Sequence, residues 1–189
     1  SGIVGRKIAA TFSSIGLMAF YLNPLDALHG DIGIVSKNDV TIILSNSGET
    51  QEIIDMLPHI KKRGSRVIGI LGKKTCTLIK HCFAVLDGSV DKESCPLNII
   101  PTASTAVAMA IGDALAAAFM ERNKISTKDF AINHPAGSLG KKLTLSVNDL
   151  MIPSRNTKGL DTNSNIKNVI TQITENGIGA TWVYRNKLN

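Results

Sequence analysis

Short apolar runs rich in β-branched residues alternate along the first part of the chain with segments in which apolar residues recur every three or four positions. The first pattern predicts buried parallel strands, and the second predicts amphipathic helices. Predicted strands lie at residues 18–22, 40–44, 66–71 and 83–86, and predicted helices begin near residues 2, 51, 75, 102 and 127. Strands that alternate with helices predict an α/β fold, in which a parallel sheet carries helices on both faces.

Glycine, proline and capping residues mark the ends of these helices. Gly16 and Gly64 are expected to end the first and second long helices. Pro58 falls inside the second of these patterns, so a kink or a break is expected there. Ser126 and Asp129 have the spacing of a capping box and predict the start of a short helix.

The composition changes near residue 145 and indicates a second domain. Asn, Thr and Ser become frequent as far as residue 165, a new amphipathic helix follows from Ile166, and residues 180–184 predict a strand. We therefore expect one domain at residues 1–143 and an incomplete second domain at residues 144–189.

Small hydroxyl residues follow the second predicted strand and directly precede a helix. Ser45, Ser47 and Thr50 supply hydroxyl groups, and Gly48 is expected to let the backbone approach a ligand. Unpaired first-turn amides and the helix dipole favour an anion at such a position. No lysine follows the glycine as it does in a nucleotide-binding P-loop, so the loop suits one small phosphate. The alternative is a serine-rich turn that only caps the helix.

Charge and cysteine content narrow the classes of partner. The net charge of +6 suits an anionic metabolite, and the chain has neither a dense Lys/Arg run nor interleaved aromatic residues, so no nucleic-acid partner is expected. No run of membrane-spanning length is evident, so no membrane partner is expected. The three cysteines have no C-x-x-C spacing and are expected to be reduced in a cytoplasmic protein.

Six short motifs stand in order along the chain and together resemble one family. They are Ser1-Gly2-x-x-Gly5-Arg6-Lys7, His29-Gly30-Asp31, Ser45-Asn46-Ser47-Gly48-Glu49, Lys92-Glu93-x-Cys95-Pro96-Leu97, Pro101-Thr102-x-Ser104-Thr105 and His134-Pro135-x-Gly137-x-Leu139-Gly140. Each motif alone is weak, but the set resembles the arabinose-5-phosphate isomerases of the sugar isomerase (SIS) fold, which is flavodoxin-like. The stretch from Val147 to Met151 and the residues after it resemble the first of two cystathionine-β-synthase-type (CBS) modules of α+β architecture.

The resemblance implies an aldose–ketose isomerase that interconverts D-ribulose 5-phosphate and D-arabinose 5-phosphate, on the way to 3-deoxy-D-manno-octulosonate and lipopolysaccharide. This reaction needs a base that moves a proton between C1 and C2, an acid that relays a proton between the two oxygens, and stabilisation of the enediolate. It needs no cofactor, and no metal is expected because the Cys and His residues show no ligand spacing. The alternative function is a SIS module that senses a sugar phosphate without turning it over.

The resemblance also implies a set of site residues. The catalytic positions are His29, Glu52, Glu93 and His134, where an imidazole acts on the C1/C2 protons or opens the ring with the two carboxylates as partners. The sequence leaves the division of roles open, and simpler structural explanations remain, such as a turn hydrogen bond for His29 or a dipole contact for Glu52. The substrate-binding positions are Ser1, Gly2, Ser45, Asn46, Ser47, Gly48, Thr50, Thr102 and Ser104.

Two further expectations come from the resemblance. The family is typically tetrameric with sites near subunit contacts, so a homo-oligomer is expected. Its first motif continues upstream of Ser1 as Gly-x-Gly-Lys-Ser-Gly, and that lysine faces the substrate, so residues 1–189 alone are expected to have little activity.

Overall fold

A computed structural model of the protein describes residues 1–185, except for the side chains of Leu139, Thr144 and Ser154. The chain divides into two compact units, Ser1–Gly140 and Lys141–Asn189. Helix α6 (Ser138–Thr144) crosses this division.

The first unit alternates helices with strands. Its helices are α1 (Gly2–Ser14), α2 (Pro24–Leu28), α3 (Gln51–Lys62), α4 (Ala103–Arg122) and α5 (Thr127–Ile132). Its strands are β1 (Val40–Ser45), β2 (Arg66–Leu71) and β3 (Ala84–Asp87), and short 3₁₀ helices cover Asp31–Ile34 and Thr77–His81. Three of the four predicted strands and all of the predicted helices are therefore confirmed to within one or two residues, including the capping box of Ser126 and Asp129.

The three strands form one parallel sheet in the order β1-β2-β3. Ser45 pairs with Leu71, and Leu71 pairs with Asp87, so the carboxyl ends of all three strands reach a common edge. The loops that leave this edge are residues 46–50, 72–76 and 88–102. Ligands of parallel α/β sheets bind at this edge, so the edge is the first place to look for a site.

Alternate residues of the strands point to opposite faces, and each face carries its own helices. Ile70 packs with Ile8 of α1 and Ala116 of α4 in one buried cluster. Val67 and Leu71 of the same strand pack with the buried side of α3 in another. The expected arrangement, a parallel sheet with helices on both faces, is confirmed.

Residues 18–22 do not form the predicted strand. Among the described residues, no ladder hydrogen bonds join this segment to β1, β2 or β3. Side-chain exposure still alternates along it, since Met18 is 80% exposed and Phe20 is 69% exposed. The Tyr21 ring instead lies against Gly5 and under the guanidinium of Arg6, 4.3 Å from the ring centroid. The alternation is present, but a strand also requires a neighbouring strand to pair with.

Of the kink or break predicted at Pro58, the break is wrong, because α3 continues through this residue. The helix runs from Gln51 to Lys62 with Pro58 inside it. Pro58 is exposed, whereas Ile53, Leu57 and Ile60 are buried on the opposite side. The loss of one helical hydrogen bond is offset by burial of this apolar face.

Helix α4 is long and apolar enough to cross a membrane by length and composition, so the expectation that no run reaches that length is wrong. In this structure α4 packs along α1, with Asp113 forming an ion pair with Lys7. A core helix of a globular domain passes the same composition test, because alanine-rich helices that pack closely need few polar side chains.

The contact between α1 and α4 depends on Gly112. A Cβ at Gly112 would lie 2.5 Å from Cγ1 and 2.6 Å from Cδ1 of Ile8, which is buried. Gly112→Ala is therefore expected to lower the free energy of unfolding by about 1–2 kcal/mol, because overpacking outweighs the gain in helix propensity. Urea unfolding measures this change. The matched control is Gly33→Ala, where no atom lies within 4 Å of the new Cβ, and an equal effect of both substitutions would contradict the packing account.

The second unit contains a small parallel pair of strands. Strands β4 (Leu160–Asp161) and β5 (Val183–Tyr184) pair in parallel, and α8 (Ile166–Asn176) lies between them in the chain. Gly177 ends α8 in the left-handed conformation, at φ +66°. Asn176 links the end of α8 to the segment before β4. Its side-chain amide accepts from Lys158 N and donates to Lys158 O, each at 3.0 Å. Helix α7 (Val147–Leu150) precedes these elements.

Candidate active site

Ser45 and Thr50 shape the loop that leaves β1. Ser45 is buried, and its Oγ accepts a hydrogen bond of 2.9 Å from Gly48 N. The same oxygen shares a 2.9 Å hydrogen bond with Thr50 Oγ1. These two hydroxyls are therefore engaged inside the loop, which fixes its shape before any ligand binds.

The outer side of this loop has unused donors. Asn46 and Ser47 are exposed, and Ser47 Oγ accepts from Glu49 N at 3.2 Å. Thr50 is the N-cap residue of α3, but its hydroxyl is turned to Ser45, and no described side chain caps the helix. The amides of Gln51 and Glu52 thus remain available, whereas Ile53 N donates to Thr50 O at 3.1 Å. The two available amides argue against the alternative of a turn that only caps the helix.

The structure adds a requirement for glycine at position 48 to the close approach of a ligand expected from the sequence. Gly48 is buried at φ +68°, and a Cβ there would overlap the Sγ and Cβ atoms of Cys76. The glycine therefore lets the loop pack against Cys76 in a left-handed conformation.

Glu49 ties the back of the loop to the segment that follows β2. Its Oε1 accepts from Thr77 N at 2.7 Å, and Leu78 N donates to Gly48 O at 3.2 Å. The hydrogen bonds from Thr77 hold the pKa of Glu49 below its usual value. Sequence analysis missed this supporting contact and Cys76, since the partners are separated by 28 residues and no local pattern signals them.

Glu93 lies in the loop between β3 and α4, and it is buried. Its Oε2 accepts from Thr102 N at 2.8 Å, Ser104 N at 3.1 Å and Thr102 Oγ1 at 3.1 Å, and its Oε1 accepts from Ser104 Oγ. The hydroxyl and amide hydrogen bonds from Ser104 and Thr102 lower the pKa of Glu93 to about 2. Desolvation alone would raise the pKa of Glu93, but the hydrogen bonds to its charged form outweigh that effect.

Ser1 and Gly2 lie at the start of α1, and Glu52 lies in the first turn of α3, directly after the loop of residues 46–50. Gly2 opens α1, whose first turn approaches the end of β1, since a Cβ at Gly5 would be 3.9 Å from Leu44 Cδ1. Glu52 is an exposed residue in the first turn of α3. These positions are therefore at the carboxyl edge of the sheet.

His134 lies at the other end of α1. It follows α5, its ring stacks on Phe130 at 3.9 Å between centroids, and its Nδ1 makes a 2.8 Å hydrogen bond with Phe130 O. The preceding Asn133 donates to Ser14 O, in the last residue of α1, at 3.3 Å. Because α1 has 13 residues, His134 is separated from the first turn of α1 by roughly 20 Å within one chain.

His29 is exposed at the C-terminal end of α2. Its backbone N–H donates to Asp26 O at 3.0 Å. The hydrogen bonds of the described residues join none of the four predicted catalytic side chains to one another. Within one chain the structure thus places Glu52 directly after the loop of residues 46–50, Glu93 before the start of α4, His29 at the end of α2 and His134 after α5. Residues 1–185 contain no group of three or more His, Cys, Asp or Glu that could hold a metal ion.

Comparison with known proteins gives a consistent family. The SIS domain model matches residues 1–118. Arabinose 5-phosphate isomerase KdsD of Francisella tularensis is 42% identical over 186 residues, which cover 98% of this chain and 57% of the relative. Arabinose 5-phosphate isomerase KpsF of Escherichia coli O6:H1 is 42% identical over 183 residues, which cover 97% of this chain and 55% of the relative.

A solved structure shows the same likeness. The protein c3406 of E. coli CFT073, in complex with arabinose 5-phosphate, is 41% identical with a TM-score of 0.68, over 71% of this chain and 72% of that chain. The chain spans somewhat more than half the length of the curated relatives it matches. With the fold, the serine loop and these matches together, the chain belongs to the SIS domain family.

Proposed function

We propose that the protein is an aldose–ketose isomerase that interconverts D-ribulose 5-phosphate and D-arabinose 5-phosphate. The observation that carries the proposal is the loop of residues 46–50, which ends at the uncapped start of α3 on the carboxyl edge of the sheet. The relatives named arabinose 5-phosphate isomerase and the structure in complex with arabinose 5-phosphate support this choice of substrate.

Helices α3 and α4 both begin at the carboxyl edge, and of these two only α3 has a start that is open to the phosphoryl group. The start of α4 is filled by the carboxylate of Glu93, which takes the amides of Thr102 and Ser104. A second anion there would meet a fixed negative charge. The start of α3 has no such occupant and is flanked by Lys73 and Lys80, which act on Glu49 in the adjacent loop. The phosphate therefore belongs at residues 46–52.

Of the two carboxylates in this loop and the first turn of α3, Glu52 is the one left open to a phosphate-anchored sugar, because Glu49 accepts from Thr77 N. Glu52 is exposed in the first turn of α3 and takes part in no hydrogen bond recorded for the described side chains. A general base needs an open lone pair within hydrogen-bonding reach of the proton that it removes. Glu52 meets this requirement, and we assign it to the transfer of the proton between C1 and C2.

The position of His134 supports a site shared between copies of the chain. The preceding Asn133 contacts Ser14 at the last turn of α1, roughly 20 Å along that helix from its first turn. We propose a homo-oligomer, a tetramer by analogy with the family, in which His134 of one copy completes the site of another. His29, which is exposed on α2, is placed in the same shared site.

The remaining parts of the proposal follow from the chemistry. The proton transfer is internal to the sugar, so no cofactor takes part. We place the reaction in the cytoplasm, on the route to 3-deoxy-D-manno-octulosonate. The second unit is proposed to begin a CBS module, since β4, α8 and β5 form a small parallel β-α-β unit.

The test is turnover of D-ribulose 5-phosphate by the intact natural protein. Formation of D-arabinose 5-phosphate is expected, with loss of activity in Glu52→Gln and no change in the control Glu121→Gln, which lies at the exposed end of α4. Binding of the sugar phosphate without turnover in the wild-type protein would establish the sensor alternative. If the wild-type protein neither binds nor turns over the sugar phosphate, both functions are refuted.

A further inference from the structure

The side chain of Glu49 leaves its own loop and caps a different segment. Its Oε1 accepts a 2.7 Å hydrogen bond from Thr77 N, although 28 residues separate the two in the chain. Thr77 is the first residue of the 3₁₀ helix Thr77–His81, and the N-cap residue of that helix, Cys76, supplies no side-chain hydrogen bond. Glu49 therefore satisfies a backbone donor that the local sequence leaves open.

The next amide of the same helix also serves the loop. Leu78 N donates to Gly48 O at 3.2 Å, and the Leu78 side chain is fully buried in the core beside α3. In the part of the chain that the structure describes, these two hydrogen bonds are the ones that hold residues 46–49 to anything outside the loop. The loop is thus fixed to a segment that the core holds in place.

The charge of Glu49 acts against this benefit. A carboxylate beside a phosphoryl group repels it, and Lys73 and Lys80 only offset part of the repulsion. The pKa of Glu49 lies below its usual value, first because of the hydrogen bonds from Thr77 and to a smaller extent because of these two lysines. The hydrogen bond and the charge of Glu49 therefore have opposite effects on an anion, which allows an experiment to separate them.

We propose that Glu49 is a positioning residue for the phosphoryl group: its hydrogen bond to Thr77 N holds the loop of residues 46–50 in the shape that presents its outer donors and the start of α3 to the anion. The proposal rests on the function proposed above and assigns Glu49 to binding rather than to proton transfer. The loop is an exposed turn, so without this contact it has to be ordered by the ligand, and the ordering lowers the affinity.

Three substitutions separate the acceptor, the charge and the donor of this hydrogen bond. Glu49→Ala removes the acceptor and the charge, whereas Glu49→Gln removes the charge and keeps an oxygen that can accept from Thr77 N. Thr77→Pro removes the donor and keeps the carboxylate. Proline suits the first position of a helix, and Cys76 already has the extended backbone that a residue before proline prefers, at φ −160° and ψ 166°. Glu121→Ala, at the exposed end of α4, is the control.

The experiment measures the Kd of inorganic phosphate by calorimetry, and KM and kcat with D-ribulose 5-phosphate, all in the intact natural protein. Glu49→Ala and Thr77→Pro are each expected to raise the Kd and the KM about 10-fold, with kcat changed by less than about 2-fold. Glu49→Gln is expected to keep both within about 3-fold of wild type, because the acceptor remains and the repulsion is lost. The double variant is expected to match Glu49→Ala alone, since both substitutions break the same bond.

Four results would overturn the role of Glu49. They are an unchanged Kd in Glu49→Ala, an equal loss of affinity in Glu49→Gln and Glu49→Ala, a fall in kcat at constant KM, and effects of Glu49→Ala and Thr77→Pro that multiply. The first three need no folded Thr77→Pro protein. Turnover by the wild-type protein is recorded separately, so an intact protein that shows the expected phosphate affinities without isomerisation would refute the proposed reaction and leave the role of Glu49 standing.

Discussion

Replacing Gly48 with alanine is expected to reduce kcat/KM for the sugar phosphate about 100-fold. The new Cβ would overlap Cys76, and alanine at φ +68° adds a strain of about 1–2 kcal/mol. The loop must shift to relieve the overlap, and a displacement of about 1 Å of groups that hold the substrate costs on the order of 100-fold. Steady-state kinetics and phosphate binding by calorimetry both measure the loss.

The overlap and the strain can be separated with a second substitution. Cys76→Gly removes the thiol and its Cβ, so the double variant is expected to recover part of the lost affinity but not the part caused by strain. Gly33→Ala is the control, since no atom lies within 4 Å of its new Cβ. Wild-type kinetics in Gly48→Ala would show that the loop of residues 46–50 does not hold the substrate.

Substitution of Glu52 and His134 in separate chains is expected to give two inactive proteins that restore activity when mixed. Glu52→Gln and His134→Gln should each lower kcat by at least about 100-fold, since each removes a proton-transfer group. If a site takes Glu52 from one chain and His134 from another, random mixing leaves roughly a quarter of the sites with both residues intact. Activity of the mixture is measured after subunits have exchanged.

The control is a chain that carries both substitutions, mixed with wild-type protein under the same conditions. Native mass measurement confirms that hybrid oligomers have formed. Hybrids without restored activity would show that Glu52 and His134 act in the same chain, in conflict with the separation along α1.

The sequence predicts best those elements whose cause is local. Strand β2 is found at residues 66–71 as predicted, because its side chains alternate between two buried faces. The capping box of Ser126 is local as well, since its partner is three residues away. Residues 18–22 have the same kind of pattern, but a strand depends on a neighbour that the pattern cannot supply.

Part of the candidate site could also be predicted from the sequence, because some of its residues are neighbours in the chain. The hydroxyl loop and the start of α3 are contiguous in the chain, so their residues were identified together. The contacts of Gly48 with Cys76, Glu49 with Thr77, and Glu93 with Ser104 join separate segments, and only the fold brings them together. Motif matching placed Glu93 in the site but could not show that its carboxylate accepts hydrogen bonds from Thr102 and Ser104.

The location of His134 gives a similar lesson. Its motif indicates function, yet the residue follows α5, and the neighbouring Asn133 contacts the last residue of α1. A sequence motif carries no information on which copy of the chain uses it. That information comes from distances, here the length of one helix.

The most direct test is a crystal structure of the intact natural protein with D-arabinose 5-phosphate bound. The phosphoryl oxygens are predicted to accept hydrogen bonds of about 3 Å from the Ser47 hydroxyl and from first-turn amides of α3, with the Glu93 contacts to Thr102 and Ser104 unchanged. A phosphoryl group at the start of α4, with Glu93 displaced toward the sugar, would contradict the assignment of the phosphate site.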